Sequence, residues 1–294
     1  MDQSRTQHVP VMLAEVVAWL DAKPGQVIVD GTLGGGGHAR ALAERLGADG
    51  LLIALDRDPS ALTAAERTLA GLPVKLVHAN FGELNVVLEQ EQVPVFHGIV
   101  LDLGLSSDQL ADAQRGFSFD SAGPLDLRFD PSEGEPAWRL LDRLTAEQLA
   151  DLIFRYGEER FSRRIARKIV EVRREQPIET TTQLADLVRQ CVPRNPRDKI
   201  DPATRTFQAL RIAVNDELKS LEIALRRLPD VLKVGGRLAI ISFHSLEDRR
   251  VKEAFRDDAR YEVISKKPIR PTDAETQANP RARSAKLRVA ARAI

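Results

Sequence analysis

A chain of 294 residues can hold one large domain or two ordinary ones around a packed core. Its 43% hydrophobic and 29% charged content excludes the disordered and membrane classes, while 43 basic against 43 acidic residues leave net charge silent about partners. The single cysteine, Cys191, excludes an internal disulfide and any cysteine-rich metal site; among Leu184, Leu187 and Val188 at helical spacing it reads as a buried structural thiol.

In chain order, the opening MDQSRTQHVP lacks the apolar core of a secretory signal, and no run approaches the ~20 apolar residues of a membrane span. A cytoplasmic protein is the expectation. Residues 11–21 carry apolar side chains at helical spacing. Strands are then predicted at 27–29, 51–55, 74–77 and 99–103, alternating with helices at 39–46, 60–69 and 83–89. Short buried strands alternating with helices predict a doubly wound α/β domain on a parallel sheet. Strand character then stops. Residues 111–136 are rich in Gly, Pro, Asp and Ser and carry Phe117, Phe119 and Phe129, the pattern of a lid or binding loop. Helices follow, one capped by Thr145 with Gln148, one with the stripe Phe161, Ile165, Ile169 and Val172, one capped by Thr182, and a long one over 204–228. Strands resume at 237–243, 261–265 and 285–291, with a helix at 246–256; the last two strands, joined by a long polar connection, suit an antiparallel hairpin. The organisation predicted is a first part over 1–110, a helical insertion over 111–213 and a second part over 214–294.

The first strand-to-helix turn reads VIVDGTLGGGGHA, in the crevice where open α/β sheets bind nucleotides. Glycine there lets a ligand approach the backbone, and Asp56, closing the second strand twenty residues after Gly36, is where ribose hydroxyls are held. An adenosine-bearing cofactor follows. No G-x-x-x-x-G-K-[ST] is present, which excludes a P-loop. NAD stays open, because Gly34, Gly36 and Ala39 satisfy the loose dinucleotide pattern. S-adenosylmethionine is favoured: Asp30 and Asp102 end strands where carboxylates suit a cation, and Asn80–Phe81 offer an amide and an aromatic face to adenine. His8, His78, His97 and His244 have no metal-ligand spacing, so no metal is expected. His244 reads equally as a lining of the target pocket or as a structural histidine.

Several stretches together resemble one family, the bacterial methyltransferases acting on N4 of a cytidine in small-subunit ribosomal RNA. They are HVPVML (8–13), DGTLGGGGHA (30–39), ALDRDP (54–59), NF (80–81), LDLGLSS (101–107), RGFSFDSAGPLDLRFD (115–130), TRTFQALRIAVNDEL (204–218) and SFHSLEDRRVK (242–252). Asp108 departs from the proline expected after the serine pair, and Leu127 and Phe129 replace expected methionines. The resemblance implies a Rossmann-like S-adenosylmethionine methyltransferase sheet with an inserted all-helical substrate-recognition domain. It implies that Gly36, Gly37 and His38 wrap the methionine tail, Asp56 holds the ribose, Phe81 lies along adenine, and Asp102 and Gln109 complete the pocket. For His38 the alternative is a first-turn helix residue using its backbone alone.

Cytosine N4 is a poor nucleophile because its lone pair is conjugated into the ring, so alignment is the enzyme's main task. No Pro-Pro-aromatic motif follows Asp102, which leaves Asp102 or the Ser106 and Ser107 hydroxyls to accept a hydrogen bond from the amine. Phe117 or Phe119 is a candidate stacking surface for an extruded base, with core packing as the alternative. Residues 155–174 hold eight Arg/Lys against three acids, as do residues 261–294, and Arg194, Arg197, Lys199 and Arg205 crowd one connection. Such basic stretches support a nucleic-acid partner, with solvated faces as the alternative; the resemblance implies that this partner is small-subunit ribosomal RNA or the 30S particle, and a homodimer stays open. The competing readings are an NAD(P)-dependent oxidoreductase and a non-catalytic RNA-binding assembly factor.

Overall fold

Alternating apolar and amphipathic runs build, in order, α1 (Leu13–Leu20), β1 (Val27–Asp30), α2 (Gly37–Leu46), β2 (Leu51–Asp56), α3 (Pro59–Thr68), β3 (Val74–His78), α4 (Leu84–Gln90) and β4 (Phe96–Asp102). Six helices follow: α5 (Ser107–Ala111), α6 (Ala137–Arg143), α7 (Ala146–Gly157), α8 (Ser162–Val172), α9 (Thr181–Cys191) and α10 (Thr204–Asn215). The chain ends with α11 (Glu217–Val231), β5 (Leu232–Ser242), α12 (Ser245–Asp257), β6 (Tyr261–Val263), α13 (Asp273–Ala278) and β7 (Lys286–Arg292). This computed structural model describes residues 9–193 and 200–294. The chain forms two compact units, Met1–Ser106 with Leu218–Ile294, and Ser107–Glu217.

The first unit is a seven-stranded sheet in the order β3-β2-β1-β4-β5-β7-β6. Only β7 runs antiparallel to its neighbours. Successive side chains on a strand face opposite ways, so each strand feeds two cores. Ile28, Leu52, Val100 and Ile241 pack with Val16, Leu42 and Ala65 on one face. Val29, Ile53, Ile99 and Ile240 pack with Leu88, Leu225 and Val251 on the other. Each fully buried aliphatic side chain contributes ~1.5–3 kcal/mol relative to exposure. This is a Rossmann-like α/β sheet.

β5 begins five residues earlier than its sequence pattern indicates. Leu232 pairs with Phe96 and Arg237 with Gly98, leaving residues 233–236 as an excursion that Gly235 turns with φ 76°. The last two strands do pair antiparallel, although their connection contains α13.

The second unit is helical; Thr145 and Thr180 each cap a helix with a reciprocal Gln three residues on. The capping residue is therefore Thr180, not Thr182, because Thr180 has the extended backbone that lets its hydroxyl reach the Gln183 N–H. The long helix expected over 204–228 is broken: α10 stops at Asn215, Asp216 turns left-handed (φ 51°), and α11 starts anew. Asn215 explains the break. Its side-chain amide accepts from Phe129 N–H (2.8 Å) and donates to the Leu127 carbonyl (2.7 Å), tying down the 111–136 stretch. Part of that stretch is built into the second unit. Leu125 and Leu127 are buried, and Phe117 stacks on Phe129 with 5.6 Å between centroids. Phe117 is therefore core, not a surface for a base. Phe119 packs on Phe207 at 4.9 Å. Cys191 is buried, which raises its thiol pKa.

Candidate functional site

Three neighbouring parallel strands of the first unit, β2, β1 and β4, end in Asp56, Asp30 and Asp102. Parallel register therefore gathers three carboxylates at one sheet edge. Asp30 is 1% exposed; its Oδ1 accepts from Thr32 N–H (3.1 Å), and its Oδ2 has no partner among the described residues. Burial pushes its pKa up to about 6; His38 and the Thr32 N–H lower it, and the Asp102 and Asp56 carboxylates raise it. Burial raises Asp56 as well. A buried carboxylate oxygen with nothing to bind, beside two more carboxylates, is a poor arrangement for the protein alone and a good one for a bound cation.

The glycine turn lies against these acids. Gly34 has φ 47° and donates its N–H to Asp56 Oδ2 (2.7 Å). Gly36 has φ 76° and precedes α2 with no side-chain cap, so backbone conformation requires glycine at both positions. Uncapped first-turn N–H groups suit an anionic ligand group. Gly37 is bare for a different reason: a Cβ there would sit 2.8 Å from Pro10. His38 is buried, its Nε2–H donating to the Val11 carbonyl (3.0 Å) and its Nδ1 lying 3.9 Å from Asp102 Oδ2. Its side chain thus fastens residues 9–12 across α2. The same segment is held by Asn279 Nδ2, donating to the Val9 carbonyl (3.1 Å), and by Glu275 Oε1, accepting from Met12 N–H.

Beyond β4 the chain is clamped. Asp102 N–H donates to Thr32 Oγ1 (2.6 Å), and Asp102 Oδ1 accepts from Gly104 N–H (3.3 Å). A Cβ on Gly104 would meet the Phe243 ring at 2.7 Å, and the Arg281 guanidinium donates to the Leu105 carbonyl. Ser106 is buried, its Cβ 3.6 Å from where a Gly34 Cβ would stand. On the other side, Phe81 is half-buried, its Cβ 3.1 Å from where a Gly31 Cβ would stand. The Asn80 amide is engaged within the unit: Oδ1 accepts from Gly82 N–H and Nδ2 donates to Ser220 Oγ (2.8 Å). Asn80 thereby caps the turn that begins at Phe81.

The first unit therefore gathers Gly36, Gly37, His38, Asp56, Phe81, Asp102 and Ser106 around one sheet edge, whereas Gln109 lies on α5 of the second unit. Thr32, which joins the Asp30 and Asp102 loops, is the residue the sequence reading missed. Its place two residues after a strand-ending aspartate was the available signal. Among the histidines, His78 bonds the Arg57 carbonyl (2.9 Å) and His97 Nδ1 accepts from Val27 N–H (3.2 Å), its pKa lowered by burial. His244 caps α12, its Nδ1 accepting from Glu247 N–H (3.4 Å), and His8 lies outside the described residues. In the second unit Arg163 and Arg167 are exposed on α8. Arg205 stands 3.8 Å from Glu159, and Arg194, Arg197 and Lys199 lie outside the described residues. No described helix is long and apolar enough to cross a membrane.

The family model described as MraW methylase matches residues 5–293. The chain is 50% identical over 301 residues to a protein of Rhodopirellula baltica named ribosomal RNA small subunit methyltransferase H, covering 98% of this chain and 92% of that one. It is 52% identical to the protein of that name from a Synechococcus strain (97% and 92% covered) and 48% identical to the one from Syntrophotalea carbinolica (96% of each).

Proposed function

The chain belongs to the MraW methylase family, and we propose that it transfers a methyl group from S-adenosylmethionine to the exocyclic N4 amine of a cytidine in small-subunit ribosomal RNA. One observation carries the choice of donor: the unpartnered Asp30 Oδ2, with Asp56 and Asp102 beside it. A donor bearing a sulfonium and an ammonium suits three carboxylates; a pyrophosphate does not. Family membership also removes the oxidoreductase reading.

When bound, S-adenosylmethionine supplies an electrophilic methyl group on a cationic sulfur. Asp30 balances positive charge, Asp56 holds ribose hydroxyls, Phe81 covers the adenine, and the uncapped N–H groups after Gly36 receive the carboxylate. Asp102 or the Ser106 hydroxyl accepts a hydrogen bond from the N4 amine, which turns its lone pair out of conjugation. Orientation of this kind supplies several kcal/mol of barrier reduction.

The helical insertion, drawn from the sequence as 111–213, contributes binding of the RNA strand that carries the target. The exposed Arg163 and Arg167 support this, two cations one helical turn apart. Charge reversal of both lowers RNA affinity; unchanged binding moves the interface elsewhere. The deciding experiment supplies labelled S-adenosylmethionine with small-subunit RNA or 30S particles and analyses the nucleosides by mass spectrometry. N4-methylcytidine is expected. Label on another atom overturns the choice of amine, and no transfer supports a non-catalytic assembly factor.

A further inference from the structure

The long connection between β6 and β7 has two features in common with a nucleic-acid wall: its place at the sheet edge and its unneutralised charge. Because β7 is antiparallel to both β5 and β6, β6 runs parallel to β5, and the chain leaves β6 at the carboxyl edge of the sheet. It re-enters at Lys286, paired with Ser242 at the end of β5. Residues 264–269 still run beside β7, with Ile269 and Leu287 exchanging backbone hydrogen bonds at the level where β5 ends, and residues 270–285 then lie on the carboxyl side of the sheet, the side on which Asp30, Asp56 and Asp102 end their strands. Three tethers pin this connection there. Arg281 donates to the Leu105 carbonyl, one residue before Ser106; Glu275 accepts from Met12 N–H; and Asn279 donates to the Val9 carbonyl.

The basic residues of this region divide into two sets. Lys286 and Arg288 share the single Asp248 carboxylate at 2.9 and 2.7 Å, Arg292 is bonded to the Leu232 and Ile294 carbonyls, and Arg281 is held by Leu105. Lys266, Lys267, Arg270 and Arg283 are exposed and have no ion pair among the described residues. Of the two acids on the connection, Glu275 is engaged by Met12. A connection anchored at Ile269 by Leu287 and at residues 275–281 by the tethers above, with cations left unpaired on it, fits a polyanion lying beside the reacting nucleotide.

We infer that residues 266–283 form a phosphate-binding wall for the RNA strand flanking the target nucleotide, with Lys266, Lys267 and Arg270 as its principal contacts. The inference rests on the RNA reading above. The test measures binding of a small-subunit RNA fragment against salt for the wild type and for K266E/K267E/R270E, with S-adenosylmethionine affinity followed by calorimetry. Each phosphate contact on a single strand contributes about 0.7 to the slope of log K against log salt. Loss of three contacts makes the slope shallower by about 2 and lowers affinity at least tenfold near 0.1 M salt, with donor affinity unchanged. An unchanged slope and RNA affinity overturn the wall. Should the reversal disturb donor binding, K266Q/K267Q/R270Q repeats the measurement; loss of donor affinity in both variants also overturns it, by assigning these residues to the donor site. Failure of the wild type to bind or methylate RNA refutes the functional reading instead.

Discussion

Two glycine- and aspartate-rich stretches, residues 30–38 in the first unit and 112–136 in the second, handle their polar groups in opposite ways. In the second, Asp126 is taken bidentately by Arg128, Asp130 accepts from Ser132, and Arg115 donates to the Arg128 and Phe129 carbonyls. Two of its three glycines are bare because their own chain presses on them, Gly116 on the Pro124 carbonyl and Gly123 on the Ala113 carbonyl. In the first stretch Asp30 keeps a buried oxygen unpartnered among the described residues, and the nearest atom to a would-be Gly36 Cβ lies 3.8 Å away. A loop that satisfies itself is structure; a loop that leaves buried groups unsatisfied is built for something else to satisfy them.

The contrast breaks most visibly at Asp102. Replacing it with Ala is expected to reduce methyl transfer by ~10²–10³-fold, the usual loss for one oriented hydrogen-bonding group at a reacting centre; wild-type turnover of labelled methyl would remove it from the chemistry. On the other side, Asn215→Ala leaves the Phe129 N–H and Leu127 carbonyl without their partner. A loss of about 2–4 kcal/mol in urea unfolding is expected, with S-adenosylmethionine affinity retained.

Asp30 sharpens the comparison through pH. Its folded pKa of about 6 lies above the ordinary carboxylate value of 3.8, so the folded protein keeps a proton that the unfolded chain releases. This group's share of stability is therefore present at low pH and lost as pH rises through about 6, by up to ~3 kcal/mol. Asp30→Asn should flatten that limb in melting curves between pH 4 and 7.5. A cationic ligand favours the ionised form, so donor affinity in the wild type should rise over the same interval and lose that rise in the variant. The smallest effect is expected at Phe117→Leu. Its packing on Phe129 is local, so stability should fall by about 1 kcal/mol with RNA affinity unaltered; a selective loss of RNA binding would return Phe117 to the interface.

Local pattern carried much of this protein. Period-two and period-3.6 apolar spacing located the strands and most helices, since one buried face suffices to dictate each element. The order of strand, glycine turn, helix and strand-ending Asp56 marked the cofactor crevice, because left-handed backbone at Gly34 and Gly36 is a requirement of the turn itself. What a residue does with its side chain was decided by partners distant in sequence. His38 found Val11, Asn80 found Ser220, Asn215 broke a helix to hold Phe129, and Arg281 reached Leu105. Spacing along a chain encodes which face is apolar; only the assembled sheet determines which polar atoms are left without a partner.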